Sequence, residues 1–142
     1  MPMNTAALMA DLVRDEGCVD HAYQDSEGYW TIGVGHLIDK RRGGALPGHI
    51  IDLLLDYDAA MAVADLDRNV PWWRDMPEPW QRGLANMAFN LGWPTLSRFK
   101  KMLAALEAGD GETAAREAGD SKWAQQVGDR ATRIQSLYRK TQ

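Results

Sequence analysis

The chain has 142 residues, enough for one domain with a sizeable core and too few for several. With 45% hydrophobic and 25% charged residues it is a globular composition, and a net charge of −4 without a dense basic stripe argues against a nucleic-acid binder. No apolar run approaches the ~20 residues of a membrane span, so stable membrane insertion is not expected, and the single cysteine, Cys18, excludes an intramolecular disulfide.

The opening M-P-M-N-T-A-A-L-M-A-D lacks a basic n-region, so no signal peptide is expected. Asn4 or Thr5 is placed to cap a first helix, on which Met9, Leu12, Val13 and Glu16 recur at the spacing of a core-facing stripe, and Gly17 ends it. Glu16 is therefore expected in the last turn, partly desolvated and near the negative end of the helix dipole. Both effects raise a carboxyl pKa, and a carboxyl kept partly protonated near neutral pH is what a general acid requires. Cys18 reads as a small buried packing residue.

Asp25 opens D-S-E-G, where Asp bonds its own backbone and Gly28 takes a positive φ, so its carboxylate is expected to be solvated and ionised. The run Y-W-T-I-G-V-G-H then alternates as a strand, with Tyr29, Thr31, Gly33 and Gly35 on one face and Trp30, Ile32, Val34 and His36 on the other. Two glycines leave room for an approach to the backbone, and Thr31 offers a hydroxyl beside that space. Singly, each of these residues reads as structure. Together, a core-facing acid, a turn-borne acid and a cavity-facing threonine form an acid–base constellation.

K-R-R-G-G-A-L-P-G, residues 40–48, reads as a loop, after which Leu46 and Pro47 open a helix of about 47–69. Its inward residues are expected to be Ile50, Leu54, Tyr57, Met61 and Ala64 or Asp65, and at 1.5 Å per residue it reaches ~33 Å, long enough to link two lobes. V-P-W-W-R-D-M-P-E-P-W breaks it, its tryptophans reading as core ahead of sugar-stacking surface. From Pro79, the residues Trp80, Leu84, Met87, Ala88 and Leu91 form a stripe of full helical period that stops at Gly92. Ser97, Asp110 and Asp129 are placed to cap three more helices, with a further turn or two over residues 121–126. His21, His36 and His49 lack ligand spacing, so neither metal nor cofactor is expected; His36 reads as a charge-paired structural histidine with Asp56 as its partner.

The stretch E-G-C-V-D-H-A-Y-Q-D-S-E-G-Y-W-T-I-G-V-G-H, Glu16 to His36, resembles the phage-type lysozymes, the endolysin muramidases of glycoside hydrolase family 24. That family is marked by a Glu, eight intervening residues, an Asp or Cys, five more and a Thr, within an E-G-Y-x-T-I-G-x-G-H run. Glu16, Asp25 and Thr31 fall into that spacing without a gap. The resemblance is specific over residues 15–36 and continues more loosely through N-M-A-F-N-L-G at 86–92 and S-K-W ahead of Arg130.

The resemblance implies a single lysozyme-like α+β domain over residues 1–142: a small β-containing lobe at about 15–46, a linking helix and a helical lobe at about 70–142, with the active site in the cleft between the lobes. It implies hydrolysis of the β-1,4 bond between N-acetylmuramic acid and N-acetylglucosamine in peptidoglycan and favours inversion. Glu16 would protonate the glycosidic oxygen, Asp25 would activate water or stabilise the oxocarbenium-like centre, and Thr31 would hold that water. Arg130 matches the position where the family sets an arginine against the catalytic glutamate; Tyr29, Gly35 and His36 are supporting or substrate-binding positions. The implied partner is the glycan strand, met by a monomer that accumulates in the host cytoplasm and acts on the wall from the periplasm. Two alternatives stay open at this point: a lytic transglycosylase, which can work with a single glutamate, and a catalytically silent glycan-binding module. One departure is electrical. Many phage-type lysozymes are basic, whereas here residues 1–78 hold 6 Lys+Arg against 14 Asp+Glu, a net −8, and residues 79–142 hold 10 against 6, a net +4.

Overall fold

The computed structural model describes residues 2–41 and 44–141, so Arg42 and Gly43 of the expected loop lie outside the described residues. The chain divides into two compact units, Met1–Asp52 and Leu53–Gln142.

The first unit opens with helix α1, Thr5–Glu16, capped by the Asn4 side chain, which accepts from the Ala7 amide, and closed by Gly17 at φ 76°. Both ends are where the sequence places them. The burial is not: α1 has no buried residue, and Met9, Leu12, Val13 and Glu16 are all exposed. The expected desolvation of Glu16 in a core is therefore corrected, and so is the burial of Cys18, which is exposed.

A three-stranded antiparallel sheet follows in the order β1–β2–β3, comprising Val19–Gln24, Trp30–Gly33 and His36–Leu37. The run read as one continuous strand is two, folded back at Val34 and Gly35, with Ile32 opposite His36 and Thr31 opposite Leu37. Gly33 at φ 70° and Gly35 at φ 65° supply the left-handed backbone that this reversal needs. β1, which the sequence reading left unassigned, sets Tyr23 opposite Thr31 and Gln24 opposite Trp30, with an irregularity between Val19 and Tyr23.

Helix α2, Gly48–Asn69, spans the boundary between the units; its length agrees with the expectation, and its inward face does not. Ala62 and Leu66 are buried, whereas Leu54, Tyr57 and Met61 are exposed. Residues 51–61 are apolar on several faces, so their periodicity does not single one out.

The second unit holds the described core. After a 3-10 turn at Trp73–Asp75 come α3 (Glu78–Leu91), α4 (Trp93–Leu96), α5 (Lys100–Glu107), α6 (Gly111–Gly119), α7 (Lys122–Val127) and α8 (Asp129–Tyr138). α3 buries Trp80, Leu84, Met87 and Ala88 on the stripe read from the sequence and ends at Gly92, φ 74°. Trp73 and Trp80 are core, as expected, and their indole N–H groups donate to Asp67 Oδ1 at 2.8 Å and the Lys140 carbonyl at 2.6 Å. The Asp110 side chain caps α6 through the Thr113 amide. Ser97 and Asp129 are corrected. Ser97 closes α4, with its hydroxyl donating to the Pro94 carbonyl, and Asp129 is the first residue of α8, behind Gly128.

At the centre of this core stands Tyr138, fully buried, its hydroxyl donating to Met87 Sδ at 3.2 Å. Burial pushes its phenol pKa up, so it stays neutral. Two glycines let the helices close around it: a Cβ at Gly83 would stand 2.7 Å from Tyr138 Cε1, and one at Gly111 2.1 Å from the Tyr138 carbonyl oxygen.

Candidate active site

The first unit brings six of the predicted site residues, Glu16, Asp25, Tyr29, Thr31, Gly35 and His36, onto the three-stranded sheet with its turns and the helix end beside it. Glu16 closes α1, and its side chain reaches the hairpin turn: a Cβ built on Gly35 would lie 3.0 Å from Glu16 Oε2 and 3.1 Å from its Cδ. The space that the glycines were expected to leave over the backbone is thus taken at Gly35 by the carboxyl itself.

Asp25 sits on the β1–β2 turn. Its Oδ1 accepts from the amides of Glu27 and Tyr29, each at 2.9 Å, while its carbonyl accepts from the Gly28 amide at 3.0 Å, with Gly28 at φ 83°. This is the self-bonding turn that D-S-E-G specifies. The Tyr29 backbone then ties the two neighbouring functional groups together. Its N–H holds Asp25 Oδ1, and its carbonyl accepts from the Asp25 amide at 2.8 Å and from Thr31 Oγ1 at 3.2 Å. Thr31 is buried at 4% exposure, with Tyr23 and Leu37 opposite it on the two flanking strands, so its hydroxyl is fixed in place and keeps acceptor capacity.

A residue that the sequence reading passed over completes the turn. Arg41 Nη2 donates to Asp25 Oδ2 at 2.7 Å and Nη1 to Glu27 Oε2 at 3.0 Å, and Arg41 Cζ lies 3.5 Å from the centre of the Tyr29 ring. The Tyr29 amide first, and then the Arg41 guanidinium, hold the Asp25 carboxyl below the usual carboxylate range, so it is ionised throughout the neutral region. The sequence offered no local signal for this contact, because Arg41 lies in the charged loop and meets Asp25 across 16 positions of chain.

His36 is half-buried, and its Nε2 has no hydrogen-bond partner among the described residues; Asp56, the partner expected for it, belongs to the second unit. Arg130 also lies in the second unit, near the start of α8, where its Nε donates to Asn86 Oδ1 at 2.9 Å. Among the described residues no three His, Cys, Asp or Glu side chains gather closely enough to hold a metal.

Comparison with known proteins matches residues 13–142 to the phage lysozyme family, a span that takes in the last turn of α1, the three-stranded sheet and the whole helical unit. The chain belongs to the phage lysozyme family. This family member is 33% identical over 157 aligned positions to the pre-baseplate central spike protein Gp5 of Enterobacteria phage T4, across 92% of its own length and 27% of that protein's. It is 28% identical over 160 positions to probable T4-type lysozyme 2 of Dictyostelium discoideum, covering 94% of each chain. The likeness to probable T4-type lysozyme 1 of the same organism is also 28%, over 149 positions, covering 87% of this phage-lysozyme chain and 88% of that one.

Proposed function

We propose that this chain is a muramidase in which Glu16 is the general acid, Asp25 the ionised carboxylate and Thr31 the residue that orients water. Membership of the phage lysozyme family gives the reaction class, hydrolysis of peptidoglycan by a lysozyme glycosidase. The observation that carries the residue roles is the sheet geometry: Glu16 lies on Gly35, while the backbone of one residue, Tyr29, ties both Asp25, through its N–H, and Thr31, through its carbonyl.

The chemistry follows from those positions. Glu16 gives its proton to the glycosidic oxygen as the bond to C1 of the muramic acid ring breaks. Positive charge grows at C1 and the ring oxygen, and the Asp25 carboxylate, ionised by its amide and guanidinium donors, stabilises it. A water donates one hydrogen to Thr31 Oγ1 and the other to the Asp25 carboxylate, which turns its lone pair on C1; as the new C–O bond forms, its proton passes to Asp25. Attack on the face opposite the leaving group inverts the anomeric centre. Asp25 then releases to solvent the proton that it took from the water, and Glu16, exposed at the helix end, regains one from solvent, which restores both groups.

The glycan strand is the partner on this reading, with the enzyme a monomer, since the three proposed catalytic groups come from one unit of one chain. The net charge of −4 is unsuited to a nucleic-acid backbone. The site of action is the wall, reached from the host cytoplasm.

Lysis of permeabilised Gram-negative cells, followed by turbidity, tests the assignment. Glu16→Gln and Asp25→Asn are each expected to lower the rate by about 10²- to 10⁴-fold, the worth of a positioned acid or base. Mass spectra of the products should show reducing muramic ends. Equal lysis by wild type and Glu16→Gln would overturn the reading, and 1,6-anhydromuramic ends would replace hydrolysis with transglycosylation.

A further inference from the structure

Asp25 is held by more than its own turn. The two amides of Glu27 and Tyr29 both bond Oδ1, which leaves the Oδ2 edge free to swing about the Cβ–Cγ bond. Arg41 Nη2 stops that swing from the far side, across 16 positions of chain. The guanidinium is itself fixed, by the Tyr29 ring beneath it and by Glu27 on its other nitrogen. Its Nε is buried with no partner among the described residues, an arrangement that costs free energy and persists only because the remaining contacts outweigh it.

We propose that Arg41 is a positioning residue for the lysozyme reaction, fixing the plane of the Asp25 carboxylate and keeping it charged; the proposal rests on the assignment of Asp25 as the catalytic carboxylate. Arginine suits this post because its planar fork reaches two carboxylates at once while stacking on an aromatic face, which a lysine ammonium cannot do. With three donors on the carboxylate, a single acceptor direction on Oδ2 remains for the attacking water. Arg41 is the one cation bonded to Asp25 among the described residues; Glu27 lies beyond it, and the Tyr29 phenol ring lies under the guanidinium. Removing Arg41 therefore loosens the carboxylate and lets it take up a proton at higher pH.

The experiment compares kcat, KM and the pH profile of the wild type with Arg41→Met, Arg41→Lys, Glu27→Gln and Asp25→Asn, using soluble peptidoglycan fragments. Arg41→Met should lower kcat about tenfold with KM within about twofold, as a misplaced catalytic group does, and should move the acidic limb of the profile to higher pH. Arg41→Lys should return the acidic limb towards wild type, because the charge is back, while kcat recovers only in part. A merely structural arginine would lower the melting temperature without moving that limb. Wild-type kcat and an unmoved acidic limb in Arg41→Met, or a rise in KM alone, would overturn the proposal. Should Arg41→Met fail to fold, Glu27→Gln frees one arm of the fork and leaves every contact of Asp25 intact; a two- to threefold fall in kcat is expected, and no fall overturns the proposal. Full activity in Asp25→Asn would instead sink the assignment on which it rests.

Discussion

The carboxyl of Glu16 rests on the bare backbone of Gly35, so that a methyl group added there would stand 3.0 Å from Oε2. The acid's position is thus set by the absence of a side chain on the hairpin it faces. Gly35→Ala carries two penalties, and they fall on different observables. At φ 65° an L side chain is strained by about 1–2 kcal/mol, which lowers the melting temperature. The contact itself is relieved by moving the far end of a flexible side chain, which displaces the proposed proton donor. Activity is therefore expected to fall about a hundredfold, well beyond the modest loss of stability, and steady-state kinetics beside thermal melts will separate the two.

Acid should unfold the protein through a small set of carboxylates. Asp25, held by the Tyr29 amide and Arg41, Asp67, held by Arg74 and Trp73, and Asp110, held by the Thr113 hydroxyl and amide, all have lowered pKa values in the folded chain. A lowered folded pKa means that the unfolded chain binds more protons as the pH falls. Their stabilisation is complete above the ordinary carboxylate value of about 4 and is lost below it, as the pH drops through the folded values. Melting temperature measured from pH 7 to pH 2 should be flat and then fall. Asp110→Asn, which keeps an acceptor for the Thr113 amide, should flatten part of that fall, whereas Asp110→Ala should destabilise across the whole range.

Gly83→Ala should destabilise the helical unit by about 1–3 kcal/mol. The new Cβ would meet Tyr138 Cε1 at 2.7 Å, and a fully buried ring has nowhere to go. In an ordinary exposed helix the same change would stabilise, so the sign is diagnostic; chemical denaturation measures it.

Tyr138→Phe should cost less than about 1 kcal/mol despite the residue's complete burial, because the hydroxyl bonds only a thioether, a weak acceptor. Loss of the ring in Tyr138→Ala should cost about 3–5 kcal/mol, and the contrast between the two variants in urea titrations isolates packing from the hydrogen bond.

What the sequence disclosed, and what it did not, divides along physical lines. The helix ends at Asn4, Gly17, Gly92 and Asp110 were legible because a cap is a local bond between a residue and its own neighbours. The Asp25 turn was legible for the same reason. β1 was not, because Val19–Gln24 interleaves Asp20, His21 and Gln24 with few apolar residues and gains its identity from pairing with β2. The reversal at Val34 and Gly35 hid inside a run whose alternation continues unbroken through it. Arg41 was invisible because a contact over 16 positions leaves no periodic trace, and α4 because four residues are too short to show a period. The position of Glu16 in the last turn of α1 was legible from the cap at Gly17, whereas its burial, expected from the stripe of Met9, Leu12 and Val13, failed because that face of α1 is exposed.

The distribution of indoles gives the molecule a built-in optical division. Of six tryptophans, Trp30 alone belongs to the first unit, and it is 48% exposed beside Thr31, while Trp73, Trp80 and Trp123 are sealed in the second, each with its N–H bonded. An aqueous quencher will therefore reach Trp30 well before these three. The exposed, red-shifted emission of Trp30 would report glycan arriving at the proposed site, over a background from the partly exposed Trp72 and Trp93, and the protected, blue-shifted part reports melting of the helical core, so the proposed occupancy and unfolding can be followed in one cuvette without a label.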